Sequence, residues 1–429
     1  MSALAKLALR CGYFVAGSDA VCGETVRELK SLGVWVKIGV CEEVNKPLLE
    51  ADFVVYTDAL SEGDFELSYA KKTGKRAYSR AEFLTIVSKG FSFVTAIAGS
   101  HGKTTCTSMC AHVLKAAGAP FCAHIGGMDS FFGNFYLSGF DHFLTEACEY
   151  KKNLLKLSAD RAVVLNVDLD HMECYDGEQD LIETFSRFCN QAKVAFVCAD
   201  DARCKAFRDC VTFGIENPLA DYRAKDLRRS GERYSFTVCE YGKELTRVRL
   251  KTIGKYNVYN ALAAFAAMRS YGFNEKEIAQ GLESFLAVKR RFEEIGRYKG
   301  ARFVCDYAHH PKEIRSVVET ARGIFSGRLF VVFQPHTYSR TKLLMTEFVE
   351  ALRPVENLMI YKTYPAREAY DGEGCARRLS ENVGCLYADS SSALKTYLKK
   401  TVREGDGVLF LGAGDIYYAA KFLLAELNK

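Results

Sequence analysis

The chain has 429 residues, of which 48% are apolar, and carries a formal net charge of +5. That length corresponds to two or three domains with substantial cores, and so mild a charge, with no long Lys/Arg block, gives no footprint for nucleic acid. No uninterrupted apolar run reaches the roughly 18 residues of a membrane-spanning helix.

The chain begins MSALAKLALRCGYFVAGSD. This stretch lacks a charged leader and a small-residue cleavage site, so it does not read as a secretory signal. It reads as a buried helix leading into a strand. The sixteen cysteines are scattered and form no C-x-x-C. The closest two, Cys106 and Cys110, sit one helical turn apart on one face. Zinc sites show tighter pairing, so free buried thiols in a reducing cytoplasm are expected.

In chain order, YFVAGSD, ADFVVYTDA and FSFVTAIAG are short apolar runs ending in small or acidic residues, separated by helical stretches such as GETVRELKSLG (Gly23 to Gly33). A second series, FDHFLTEACE, RAVVLNVDLDH and KVAFVCADD, leads to a β-rich patch near residues 222–250. An alanine-rich helix, NVYNALAAFAAMRSYG, comes next. A third series follows from Arg290: ARFVCDYAHHP, GRLFVVFQPH, ENLMIYKTYPA and GDGVLFLGAGD. Alternating strands and helices indicate an α/β chain with mainly parallel sheets. Domain boundaries are expected near Ser88 and Lys289, giving segments 1–88, 89–289 and 290–429.

The stretch AIAGSHGKTT (Ala96 to Thr105) resembles a phosphate-binding loop. The common pattern G-x-x-x-x-G-K-[ST] would put its first glycine at Ile97, whereas glycine occurs at Gly99 and Gly102. Strand, glycine loop and helix is nevertheless the context in which backbone N–H groups and a helix N-terminus hold phosphate oxygens. Lys103 adds a point charge there, and the Thr104 hydroxyl is a candidate Mg²⁺ ligand. The plain alternative is a glycine turn with a surface lysine.

Two further candidate Mg²⁺ ligands lie at strand ends. Glu146 closes FDHFLTEA, and His171 follows VVLNVDLD. A carboxylate suits Mg²⁺ better than an imidazole does. The alternatives are a helix-capping acid and a loop histidine. Five of the eight histidines (His101, His171, His309, His310 and His336) follow apolar strands. DYAHHP brings Asp306, His309 and His310 together, and FQPHTYSRT places His336 near Arg340, whose fork suits carboxylate or phosphate. VKRRFE supplies Arg290 and Arg291, a pair that by itself usually reads as a solvated face. LGAGDI reads as a glycine turn, structural or ligand-binding.

Taken together, GSHGKTT, LTEACEY, NVDLDHMECY, GKYNVYNALAA, VKRRFE, DYAHHPKEI, FQPHTYSRTKLL and LGAGDI occur in the order of the Mur ligases, which the chain resembles over nearly its whole length. That family's loop is the short form G-[TS]-x-G-K-[TS], so no glycine is expected at Ile97. The resemblance implies a Rossmann-like N-terminal domain for a UDP moiety, a central P-loop ATPase domain and a Rossmann-like C-terminal domain. By motif, Gly99, Ser100, His101, Gly102, Lys103, Thr104 and Thr105 would wrap ATP phosphates, with Thr104, Glu146 and His171 supporting Mg²⁺. Asn257 and Asn260 would contact the adenine side, and Asp306 and His309 the nucleotide. His336 and Arg340 would face the amino acid and the muramoyl group. Arg290 and Arg291 would lie near the phosphates. Lys103, Arg291, His336 and Arg340 are thus the candidate catalytic residues.

The implied chemistry is ligation of L-alanine to UDP-N-acetylmuramate through an acyl phosphate, in peptidoglycan precursor synthesis. Its close rival is a recycling ligase adding a whole peptide to the same acceptor. A non-catalytic UDP-sugar or nucleotide-binding relative is the reading from another class. Partners are expected to be small molecules, with no nucleic acid, no membrane span and at most a weak homo-oligomer. Two departures stand out. Tyr256-Asn257 replaces the frequent His-Asn, and Met1-Ser2 match the end of the family's first glycine-rich turn. The expectation is therefore a shortened chain whose first domain lacks its first strand and binds the UDP substrate poorly.

Overall fold

The computed structural model describes every residue except Val40, Glu42, Ala59, Ser61, Glu62 and Arg367. Its largest sheet has ten strands. In spatial order they are Lys243–Ile253, Arg233–Glu240, Tyr222–Ser230, Val211–Gly214, Val194–Cys198, Arg161–Val164, Phe93–Ala98, His142–Glu146, Phe121–Asp129 and Gly133–Leu137. Phe93–Ala98 is buried from Val94 onward. A strand covered on both faces reads as one continuous apolar run, which is what FVTAIA is.

Phe93–Ala98 pairs in parallel with His142–Glu146 on one side and Arg161–Val164 on the other. All three strands therefore end at the same sheet edge, and the loops after Ala98, Glu146 and Val164 emerge side by side. Parallel pairing dominates the centre, as expected. The edge strand Gly133–Leu137 departs from it by running antiparallel to Phe121–Asp129.

The alanine-rich segment forms the helix Tyr256–Arg269, in which every residue from Ala261 to Met268 is fully buried. A helix apolar on all sides has no face for water. The helix Lys103–Ala116 is buried from Thr104 to Leu114, and the helix Glu275–Ser284 packs closely on it at Gly281.

The N-terminal region has two separate parallel ribbons. Ala16–Asp19 pairs with Trp35–Ile38, and Phe53–Tyr56 with Arg76–Ser79. Two-stranded pieces are marginal alone. Here Val15, Phe53, Val55 and Tyr78 pack on a core that also contains Leu4, Leu7, Phe83 and Phe143. Leu4 and Leu7 belong to the helix Ser2–Arg10, which matches the expected buried helix before a strand.

The C-terminal sheet has six strands in the order Glu293–Tyr298, Ala301–Asp306, Gly407–Leu411, Leu329–Phe333, Asn357–Tyr361 and Leu386–Ala388. The last five run parallel, so the loops after Asp306, Phe333, Tyr361 and Leu411 share one edge. By contacts the chain forms two compact units. One comprises 1–226, 236–248 and 259–285, and the other 227–235, 249–258 and 286–429. All sixteen cysteines are free, most of them buried. Among the described residues no helix is long and apolar enough to cross a membrane.

Gly281 tests the helix packing. A Cβ there would overlap Val113 Cα and lie 2.8 Å from Val113 N and 2.9 Å from the His112 carbonyl oxygen. Gly281→Ala should therefore destabilise the protein by about 1–3 kcal/mol through overpacking, read as a lower urea midpoint with unchanged slope.

Candidate active site

The loop after Phe93–Ala98 has a backbone that its glycines make possible. Gly99 has φ +131° and Gly102 φ +86°, values strained for any residue with a Cβ. A Cβ on Gly102 would also lie 2.5 Å from Asn260 Oδ1. The segment after Arg161–Val164 buttresses this turn. Asn166 Oδ1 accepts the His101 N–H at 2.9 Å, and Asn166 Nδ2 donates to the His101 carbonyl at 3.1 Å. The Asp168 N–H donates to Ser100 Oγ at 2.8 Å, and Asp168 Oδ2 lies 3.0 Å from His101 Nε2. Gly102 caps the helix Lys103–Ala116, whose first-turn residues Lys103, Thr104 and Thr105 follow directly.

Lys103 Nζ lies 2.9 Å from both carboxylate oxygens of Glu149 and donates to the Ser100 carbonyl at 3.2 Å. Burial works against its charge, but the Glu149 carboxylate, with Cys148 and Glu146 behind it, outweighs that and holds its pKa above the ordinary lysine value. A half-buried lysine beside a loop of N–H groups is poised to meet phosphate oxygens. The plain alternative of a surface lysine is thereby removed.

Glu149, Asp170 and His171 bring one ligand atom each to within 4.8 Å of one another. Two carboxylates with one imidazole form an oxygen-rich donor set compatible with Mg²⁺. His171 has φ +55°, and its ring meets the Tyr150 ring edge-on at 5.2 Å. Glu146 stands outside this cluster. Its Oε1 accepts the Gly126 N–H at 2.7 Å, although its charge reaches Lys103. Thr104 is buried in the first turn of the helix Lys103–Ala116. Of the expected metal ligands with an imidazole or carboxylate, His171 falls in the cluster and Glu146 does not.

The second unit gathers its own candidates at the shared edge of the six-stranded sheet. Arg290, at φ +65°, donates from Nη2 to the carbonyls of Gly412 and Gly414 at 2.9 and 2.8 Å, so the LGAGDI turn seats this arginine. Its guanidinium and that of Arg291 lie 4.8 and 5.1 Å from the centre of the Tyr307 ring. Both arginines are half-buried rather than on a solvated face. Asp306 is buried and accepts the Phe292 N–H at 2.7 Å and the Ala308 N–H at 2.8 Å. His309 and His336 approach with ring centres 5.9 Å apart, and His336 stacks on Tyr364. Burial, reinforced by Arg340, pushes the His336 pKa down to about 4, leaving a neutral ring at pH 7. His310 caps the helix Pro311–Arg322. Asn257 Nδ2 donates to the Ile253 carbonyl at 2.7 Å.

Sequence reasoning passed over Glu149, Asn166, Asp168 and Asp170, although each lies inside a stretch already singled out, LTEACEY or NVDLDHMECY. One residue was taken from each motif where the structure uses several. The unused signal was the density of side-chain acceptors after a strand.

Asp306 also couples stability to pH. Burial raises its pKa from the ordinary 3.8 to about 6, against the pull of Arg291. Between these values the folded protein keeps a proton that the unfolded chain has released. The Asp306 contribution to stability is therefore present below pH 3.8 and is lost as pH rises through about 6. Stability of Asp306→Asn minus that of the parent should increase across this window in denaturant titrations at successive pH values.

The chain is similar to known proteins over its whole length. Three family descriptions match in order: "Mur ligase family, catalytic domain" over residues 1–92, "Mur ligase middle domain" over 97–268 and "Mur ligase, glutamate ligase domain" over 290–414. The chain is 34% identical to a UDP-N-acetylmuramate–L-alanine ligase of Acetivibrio thermocellus, over 99% of this chain and 93% of that protein. It is 36% identical to the protein of the same name from Clostridium tetani, over 99% and 95%. Its fold matches the crystal structure of UDP-N-acetylmuramate-alanine ligase MurC from Thermotoga maritima with a TM-score of 0.85, at 24% identity, covering 100% of this chain and 96% of that one. The left-handed glycine loop with its half-buried lysine, the strand-end clusters and these full-length matches place the chain in the Mur ligase family.

Proposed function

We propose that this protein joins L-alanine to the carboxylate of UDP-N-acetylmuramate, with ATP cleaved to ADP and phosphate, as a step in peptidoglycan precursor synthesis in the cytoplasm. The observation that carries the chemistry is Lys103, half-buried between a loop of left-handed glycines and the Glu149 carboxylate. The identity of the substrates rests on the full-length relatives of that name.

The reaction has two steps. The acceptor carboxylate attacks the γ-phosphorus of ATP, and ADP leaves with the electron pair of the broken P–O bond. The amine of alanine then attacks the acyl carbon of the acyl phosphate, loses a proton, and phosphate departs. The first step brings two anions together, which preorganised cations make possible. Lys103 and the N–H groups of Gly99, Gly102, Lys103, Thr104 and Thr105 receive the phosphates, while Ser100 and His101, whose N–H groups are engaged by Asn166, shape the turn. On nucleotide binding, Lys103 exchanges part of its contact with Glu149 for phosphate oxygens.

Glu149, Asp170 and His171 would hold Mg²⁺, with Thr104 and Glu146 the candidates drawn from the family's motifs. The ion would neutralise phosphate charge when bound. Arg291 and Arg290 for the phosphates, Asp306 and His309 for the nucleotide, and Asn257 and Asn260 for the adenine side are the candidates drawn from the family's motifs. Arg340 holds a carboxylate of the groups being joined, while the neutral His336 ring faces the amino acid.

Incubation with ATP, UDP-N-acetylmuramate and either L-alanine or a muropeptide tripeptide tests the reading. Phosphate release and a UDP-linked product with alanine support it. Turnover with the tripeptide alone would identify a recycling ligase, and turnover with neither would indicate a binding protein. Lys103→Ala should lower the rate with alanine on the order of 10³-fold while leaving the thermal transition of the protein cooperative. Activity within a few fold of the parent would remove Lys103 from the mechanism.

A further inference from the structure

We propose that Glu368 is a positioning residue, which sets Arg340 and His336 through the start of the short helix Tyr338–Leu343. The proposal rests on the reading in which those two side chains face the groups being joined.

The strands Leu329–Phe333 and Asn357–Tyr361 are parallel neighbours, so the segments that follow them run side by side. Their pairing continues past the sheet as a bridge between His336 and Tyr364. The Tyr364 N–H donates to the Pro335 carbonyl and the Thr337 N–H to the Tyr364 carbonyl, each at 2.9 Å. Beyond this point the chain turns sharply. Thr337 has φ +64° and ψ +150°, a conformation that a β-branched residue adopts only when its surroundings impose it.

Glu368 supplies that imposition. Its Oε2 accepts the N–H groups of Tyr338 and Ser339 at 2.7 and 2.9 Å, and its Oε1 accepts the Ser339 hydroxyl. These are first-turn N–H groups, which no carbonyl of the helix can reach. Thr337 Oγ1 is 3.5 Å from the Arg340 N–H, a weak cap, so the Glu368 carboxylate is the main anchor of the turn. Partial burial disfavours its charge, but the Ser339 hydroxyl and the two N–H groups outweigh this and hold its pKa below the usual carboxylate range. Both oxygens are thus engaged with the chain itself. Glu368 acts on Arg340, two residues into the helix, and on His336, on the other side of Thr337, by fixing the backbone between them.

The test compares Glu368→Ala, Glu368→Gln and Arg340→Ala with the parent. Kinetic constants for ATP, UDP-N-acetylmuramate and alanine would be measured, together with amide hydrogen exchange at residues 338–340. A glutamine carbonyl can accept the same two N–H groups without charge. Glu368→Ala should raise KM for alanine or the acceptor about tenfold, the equivalent of one lost charged hydrogen bond. KM for ATP should stay within about twofold, and exchange at Tyr338 and Ser339 should accelerate. Glu368→Gln should restore slow exchange and return the constants to within about threefold of the parent.

If Glu368→Gln is as impaired as Glu368→Ala, the charge itself meets substrate and the positioning role is wrong. Unchanged exchange in Glu368→Ala also overturns it, whatever the kinetics. If Arg340→Ala alters no substrate constant, the reading of the Arg340 site fails. The exchange result then still decides whether Glu368 holds the helix.

Discussion

Parallel pairing around Phe93–Ala98 is the constraint on which the candidate site depends. With Arg161–Val164 on one side and His142–Glu146 on the other, both in parallel register, three loops leave the sheet at one edge. One carries Lys103, one carries Glu149, and one carries Asn166, Asp168, Asp170 and His171. Antiparallel pairing on either side would send one of these sets to the opposite edge, about one strand length away. Apolar burial of the central strand on both faces enforces the register, since a shift would expose residues that are now completely covered.

The same device recurs in the six-stranded sheet. The parallel strands there deliver Asp306, His336, Arg340 and the turn at Gly412–Gly414 to a common edge. In both places the charged groups are restrained before any ligand arrives. Lys103 is held by Glu149, Arg290 by two carbonyls and Asp306 by two N–H groups. Restraint of this kind lowers the reorganisation needed as charge develops on transferred phosphate. It also explains why the perturbed groups lie here. Burial raises Asp306 and lowers His336 because strand ends deep in the sheet edge are shielded from water.

Charges placed this way demand small residues nearby. Gly102 lies under Asn260, and Gly126 under the Glu146 carboxylate. At Gly102 the backbone is also left-handed, so sterics and conformation both require glycine. The short form of the loop is therefore complete. Its two turns fall at Gly99 and Gly102, and Ile97, where the longer pattern has glycine, is a fully buried strand residue.

Much of this was legible in the chain itself. Apolar runs separated by helical periodicity marked the strands, the Gly-x-x-Gly-Lys-Thr stretch marked the glycine turn between strand and helix, and NALAAFAAM marked a helix with no face for water. These features are local, because they depend on a residue and its near neighbours in sequence. Partnership was decided only by tertiary structure. That Lys103 pairs with Glu149, that Asn166 and Asp168 brace the glycine turn and that Glu368 holds the helix of Arg340 all join segments separated by many residues. Strand order sets these distances, and no local spacing encodes it. The choice between Glu146 and Glu149 shows the difference most plainly. One closes a strand and the other follows it three residues later. Only the chain's turn after Glu146, which sends one carboxylate to Gly126 and the other to Lys103, separates their roles.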